Sequence, residues 1–262
     1  DALHEIVEKS PQIEKETADF YLKKYDIKEN CLVQMFFKKK EYKYHIDRVV
    51  DLSNLIIDYC KKNSINKIYI CGNGASGKTT LSKTLCEKAK NYGYVNMIST
   101  DDFIVDTELR NNANASWNDN GNIRVGRYTS CFKNSYFLKN IEEIFYNLDN
   151  GNDYYYLPKK EDVRLLKSKN FITIVEGIGT AFLDMKEENN LRLFIQCSDD
   201  VELERRKSRK GNSLEQTDEQ INKLFEARNS QFVSNVLPHI NKFNVVLESD
   251  KDFSFRIVKG IL

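Results

Sequence analysis

No apolar run in this sequence approaches the roughly 18 residues that a membrane-spanning helix requires, and no secretory pattern opens it. Neither sign of charge is in excess. A net charge of +1 gives no global reason to expect nucleic acid or a membrane surface as partner. The six cysteines, at 31, 60, 71, 86, 131 and 197, include no Cys-x-x-Cys pair, and the histidines at 4, 45 and 239 are scattered. That is not the spacing of a zinc site, and a chain this long with its own core has little use for a disulfide framework. The cysteines therefore read as reduced, mostly core-filling residues of a cytoplasmic protein. There is no internal repeat. What is present, 40% apolar and 30% charged residues, fits a globular chain rather than a disordered one.

The 262 residues suffice for one large α/β domain or a domain with an extension. Short runs rich in Ile, Val and Phe read as buried strands: "KIYICG" (67–72), "VNMIST" (95–100), "FITIVEG" (171–177), "LRLFIQC" (191–197) and "FNVVLES" (243–249). Helical patterns lie between them, as in the segment where Leu81, Leu85 and Ala89 recur at helical spacing before Gly93. The alternation predicts a doubly wound, mostly parallel five-stranded α/β sheet. Residues 1–60 are expected as a helical N-terminal extension packed on a domain spanning 61–262. The basic-aromatic run "FFKKKEYKYH" (36–45) reads as a solvated edge more readily than as an RNA contact. The segment 107–130, polar and asparagine-rich with the sole tryptophan, Trp117, is expected to be a long lid or substrate-binding loop.

"GNGASGKT" matches G-x-x-x-x-G-K-[ST] between a predicted strand and a predicted helix, the context this phosphate-binding motif requires. Gly72, Asn73, Gly74, Ala75, Ser76, Gly77, Lys78, Thr79 and Thr80 are thus the expected nucleotide cradle. Its backbone N–H groups and the helix N-terminus favour phosphate. Lys78 is expected on the outer phosphates and the Thr79 hydroxyl on a nucleotide-bound Mg²⁺. The next strand ends in "STDDFI", which brings Asp101 to the carboxyl edge of the sheet beside the cradle. A carboxylate there can take the proton of an attacking hydroxyl. Asp102 is read as a helix cap or a substrate contact. "ITIVEGI" ends in Glu176 at the same edge, where an acid can hold Mg²⁺ directly or through water. In "SDDVELERRKSRKGNS", Arg205, Arg206 and Arg209 fall within about a turn of one helix, a fork able to close over a transferring phosphoryl group. Glu202 and Glu204 are alternative partners for the same arginines.

Taken in order, "GNGASGKTT", "STDDFI", "IVEGI", "ERRKSR" and "FVSNVLPHINKFNVVLES" resemble the uridine kinase and phosphoribulokinase family of P-loop kinases over roughly residues 65–250. The resemblance implies a P-loop fold with a helical lid, and Mg–ATP as phosphoryl donor. It implies Asp101 as base, Glu176 as metal-side acid, and Lys78, Arg205 and Arg209 as catalytic cations, with Arg206 on the nucleotide. The acceptor it implies is a nucleoside-like or ribosyl small molecule; from the residues themselves, Asp102, Phe103, Arg127 and Tyr128 are the expected contacts with it. The chain departs from the family pattern at Ile104, in "GRYTSC" (126–131) and at Lys210, so uridine itself does not follow. From the residues, Trp117, Tyr128 and the tyrosines at 154–156 can stack on an acceptor, and Arg124, Arg127 and Arg164 can hold a charged group. A nucleotide-dependent switch without acceptor, and a kinase acting on an antibiotic, vitamin or precursor sugar, stay open at this level. So does a homo-oligomer; nucleic acid and membrane are not expected partners.

Overall fold

The computed structural model describes residues 45–46, 48–159, 162–185, 188–210 and 217–262. Most of the expected N-terminal extension, including nearly all of the basic-aromatic run, lies outside the described residues.

Along the chain run β1 (His45–Ile46), α1 (Val49–Lys62), β2 (Lys67–Gly72), α2 (Lys78–Ala89) and β3 (Val95–Ser99). Then come α3 (Thr107–Asn111), β4 (Asn114–Asp119), β5 (Asn122–Arg127), α4 (Leu138–Asp149), β6 (Tyr154–Tyr156) and β7 (Arg164–Leu166). β8 (Ile172–Glu176), β9 (Asn190–Gln196), α5 (Asp199–Lys210), α6 (Asp218–Asn235), β10 (Val245–Ser249) and β11 (Phe255–Lys259) complete it. The main sheet has the order β1-β11-β10-β9-β2-β8-β3. Its five parallel members, β10, β9, β2, β8 and β3, are the five strands expected from sequence. The count of five is corrected to seven. β1 and β11 add an antiparallel edge, and β1, at two residues, is too short to leave a periodic signal.

Alternation along β2 divides the core. Ile68 and Ile70 face α1 and α2, joining Leu52, Ile56, Leu81 and Leu85. Tyr69 and Cys71 face the other way, joining Ile141 and Ile144 of α4 and Phe232 of α6. Full burial of each such aliphatic side chain is worth about 1.5–3 kcal/mol. Helices on both faces therefore hold the central strands rigidly and fix where their carboxyl ends point. β8 is buried at all five positions.

The 107–130 segment is not the long loop expected from its composition. It folds as α3 followed by the β4–β5 hairpin, closed by Asn120 and Gly121, both at positive φ. Two left-handed central residues match the right-handed twist of paired strands. Ala115 and Trp117 point inward on β4, and the indole Nε1 donates to Ser230 Oγ of α6 at 2.8 Å. The hairpin is thereby tied to α6, and the two wall a cleft with the sheet edge.

Candidate active site

The glycine-rich loop joins β2 to α2. At Gly72, with φ +148°, a Cβ would run into the Ile195 carbonyl of the adjoining strand, so glycine is required there. Asn73 is buried and pinned: its Nδ2 donates to Glu202 Oε2 at 2.7 Å and to the Cys197 carbonyl at 3.1 Å, and its Oδ1 accepts from Cys197 N at 3.1 Å. Lys78 Nζ donates to the Asn73 carbonyl at 2.6 Å. Burial lowers the Lys78 pKa, against the opposing charges of Glu176, Cys71 and Asp101. α2 carries no acid in its first turn, which suits an N-terminus that receives an anion.

Strand register sets the acids. Glu176 lies opposite Ser99 of β3 and Ile70 of β2. Only 6% exposed, it accepts from Ser99 Oγ at 3.0 Å and Thr79 Oγ1 at 3.4 Å. Burial raises its pKa, Lys78 pulls it back, and the Asp101 carboxylate raises it again. Asp101 stands exposed on the turn after β3 and, with Thr79, Ser99 and Glu176, lines a cleft of about 1670 Å³. Asp102 lines it too, but its carboxylate accepts from the Tyr156 hydroxyl and from Lys159 N at 3.1 Å, an anchor for the segment after β6. Phe103 stacks on Tyr156, centroids 5.7 Å apart, away from the cleft lining.

α5 lies across the loop. Arg206 donates through Nε to Glu202 Oε1 at 2.8 Å and lines the cleft. This pair covers Gly74 so closely that any Cβ there would strike it. Arg205 is buried behind the loop instead of facing the cleft. It donates to the Ala75 carbonyl at 3.0 Å, to Ser249 Oγ at 3.1 Å and to the Asp250 carbonyl, and lies over the Phe253 ring. Of the three arginines of the expected fork, Arg206 is thus paired with Glu202, the alternative its sequence also allowed, and Arg205 is held by main-chain carbonyls. The backbone of Arg209 is helical; its side chain lies outside the described part of the chain.

Arg127 and Tyr128 line the same cleft, as does Arg164. Arg124 turns away and pairs with Asp119 at 2.5 Å. Trp117 is a packing residue, edge-on to Phe132. Of the three tyrosines only Tyr156 lines the cleft. Sequence reading missed Ser99, Arg110 and Arg228. Arg228 sits in the middle of α6 with no motif around it, and only the docking of α6 onto β4 brings it to the cleft.

The sequence from the first residue of β2 to the turn before β11, residues 67–254, matches the Phosphoribulokinase / Uridine kinase family. The chain belongs to that family. It is accordingly a nucleotide-dependent kinase, a phosphotransferase in the general sense, built on a P-loop α/β fold with a helical lid. Among solved structures, D-glycerate 3-kinase from Cryptococcus neoformans var. grubii is similar at TM-score 0.55 and 12% identity, over 78% of this chain and 96% of that one. Phosphoribulokinase from Rhodobacter spheroides is similar at 0.51 and 14%, over 71% and 70%. At such identities these likenesses speak for the fold. No curated protein matches the chain.

Kinases of this family use Mg–ATP. No cluster of three or more His, Cys, Asp or Glu side chains forms a metal cage among the described residues. The Thr79 hydroxyl and the buried Glu176 carboxylate beside Asp101 are hard oxygen donors, and they fit a Mg²⁺ ion that arrives with nucleotide phosphates. Among the described residues no helix is long and apolar enough to cross a membrane.

Proposed function

We propose that the protein transfers the γ-phosphoryl group of Mg–ATP to a hydroxyl of a nucleoside-like or ribosyl small molecule, with Asp101 as general base. The observation that carries this reading is continuity: Thr79, Glu176 and Asp101 line the same cleft that runs on to Arg127, Tyr128 and Arg228 under the hairpin. A bound alcohol there has a carboxylate on one side and the phosphate cradle on the other.

The residues divide the work. Backbone N–H groups of the loop and Lys78 hold the phosphates, and Asn73 keeps the loop in shape through Cys197 and Glu202. Asp101 accepts the hydroxyl proton as the oxygen attacks phosphorus. Thr79 and Glu176 would hold Mg²⁺, which when bound neutralises phosphate charge. Arg206, released from Glu202 by a small rotation, supplies a cation over the transferring group, while Arg205 braces the loop from behind and acts by positioning.

The test is ATP turnover, with product mass read directly, against nucleosides, sugars, their phosphates and hydroxy acids. One acceptor gaining a phosphate, with turnover falling about 10²–10⁴-fold in Asp101→Asn while ATP still binds, supports the reading. Tight ATP binding with no acceptor-stimulated turnover sinks it.

A further inference from the structure

Three arginines gather on one short stretch of chain, the exit of β5. Arg127 is its last strand residue and bonds through Nη1 to Asn111 Oδ1 at 2.9 Å. Arg110 of α3 donates to the Tyr128 carbonyl at 3.5 Å and to the Val105 carbonyl at 2.8 Å. Arg228 of α6 donates to Ser130 Oγ at 2.8 Å. All three line the cleft. Every acceptor named is neutral, and among the described residues none of the three has a carboxylate partner. Arg206, in the same cleft, is by contrast neutralised by Glu202.

Like charges assembled without a bonded carboxylate cost free energy unless something anionic joins them. The proximity is felt electrostatically: burial lowers the Arg110 pKa, and the Arg228 and Arg127 charges push it the same way against Tyr136 and Asp101. The Arg228 charge also opposes that of Lys78. Guanidinium forks are suited to planar or tetrahedral oxyanions. Hydrogen bonds to carbonyl, amide and hydroxyl groups hold the forks in place without discharging them.

We infer that the acceptor is an anionic alcohol, a small molecule bearing a phosphate or carboxylate group in addition to the hydroxyl that is phosphorylated, and that Arg110, Arg127 and Arg228 bind that group. The inference rests on the kinase reading for the hydroxyl but not for the anion site, so the two are tested separately.

Anion binding is measured first, without turnover. The protein is saturated with Mg²⁺ and a non-hydrolysable ATP analogue, which fills the P-loop. Inorganic phosphate and acetate are then titrated by calorimetry. Saturable binding of either, weakened at least fivefold in Arg127→Gln and in Arg228→Gln but not in Arg124→Gln, supports the site. Tighter phosphate than acetate assigns a phosphorylated acceptor, and the reverse a carboxylated one. No saturable binding, or binding that both cleft variants leave within twofold, overturns the inference even if the protein phosphorylates alcohols. Turnover follows on matched pairs: ribose against ribose 5-phosphate, and glycerol against glycerol 3-phosphate and D-glycerate. The anionic member should exceed its neutral partner at least a hundredfold in kcat/KM, and Arg127→Gln should raise its KM at least tenfold. A preference for neutral members overturns the inference. Anion binding with the expected variant pattern but no Asp101-dependent turnover would instead remove the kinase reading and leave the site standing.

Discussion

The two ends of the cleft are built on opposite plans. At the nucleotide end, the arginine in the cleft is matched inside the protein: Glu202 pairs with Arg206 and also holds Asn73. At the proposed acceptor end, Arg110, Arg127 and Arg228 are oriented by neutral groups alone among the described residues. The first end is also contiguous, one loop and the helix it opens. The second is assembled from α3, β5 and α6, more than a hundred residues apart in sequence at its extremes. A site that must receive a common ligand can be fixed by a local motif. A site that distinguishes one ligand from another is spread over elements whose docking can vary independently.

The sharpest way to break the comparison is at the junction between the ends. Asp101→Asn should lower kcat by about 10²–10⁴ while calorimetry shows ATP affinity within a few-fold of the parent, because both ends remain intact. Next in size is the nucleotide end itself. Glu202→Gln removes the carboxylate from a buried network and leaves Arg206 without its charge partner, a loss of about 3 kcal/mol in unfolding free energy. Denaturant melts should show it, with weaker ATP binding; an unchanged midpoint would mean the network does not hold the loop.

Alkaline pH should act on both ends alike. Burial pushes the Cys60 thiol from 9.0 up to about 12, and raises Cys71, Cys131 and Cys197. Above about pH 9 the unfolded chain releases these protons and the folded one keeps them. Stability, full below that pH, is therefore lost as pH rises toward 12, by up to about 1.4 kcal/mol per pH unit for each thiol. The thermal midpoint should fall steadily from pH 8 to pH 10, and Cys60→Ala should flatten the slope. A midpoint flat over that range would contradict the burial of these thiols. The smallest effect belongs to the acceptor end: Ser230→Ala removes the partner of the Trp117 indole, costing about 1 kcal/mol. The acceptor KM should rise a few-fold and the ATP KM should not. A change in ATP KM instead would couple the hairpin to the wrong end.

Legibility in the sequence followed the same division. The five parallel strands announce themselves as β-branched runs, and Leu81, Leu85 and Ala89 reach the core as their spacing implies. The order of Lys78, Asp101 and Glu176 along alternating strand ends was enough to place them at one sheet edge. The hairpin was masked by its composition, although "ASWNDNGNIRV" does carry alternation at Ala115 and Trp117 and a two-residue turn at Asn120–Gly121. Asparagine content outweighed period. The direction of Arg205 was not legible, because a motif identifies a residue type and not where it points: its guanidinium donates to the carbonyl oxygens of Ala75 and Asp250. Arg228 had no local signal at all.

By itself the sequence determined the five parallel strands, the glycine-rich loop and the family, because each is written in residues close in the chain: hydrophobic period, glycine conformational freedom, a helix N-terminus. Only the tertiary structure decided which arginines are paired with a carboxylate and which gather at the exit of β5 without one. Charge pairing depends on distance in space, and α3, β5 and α6 meet there only once the hairpin has packed through Trp117 against α6.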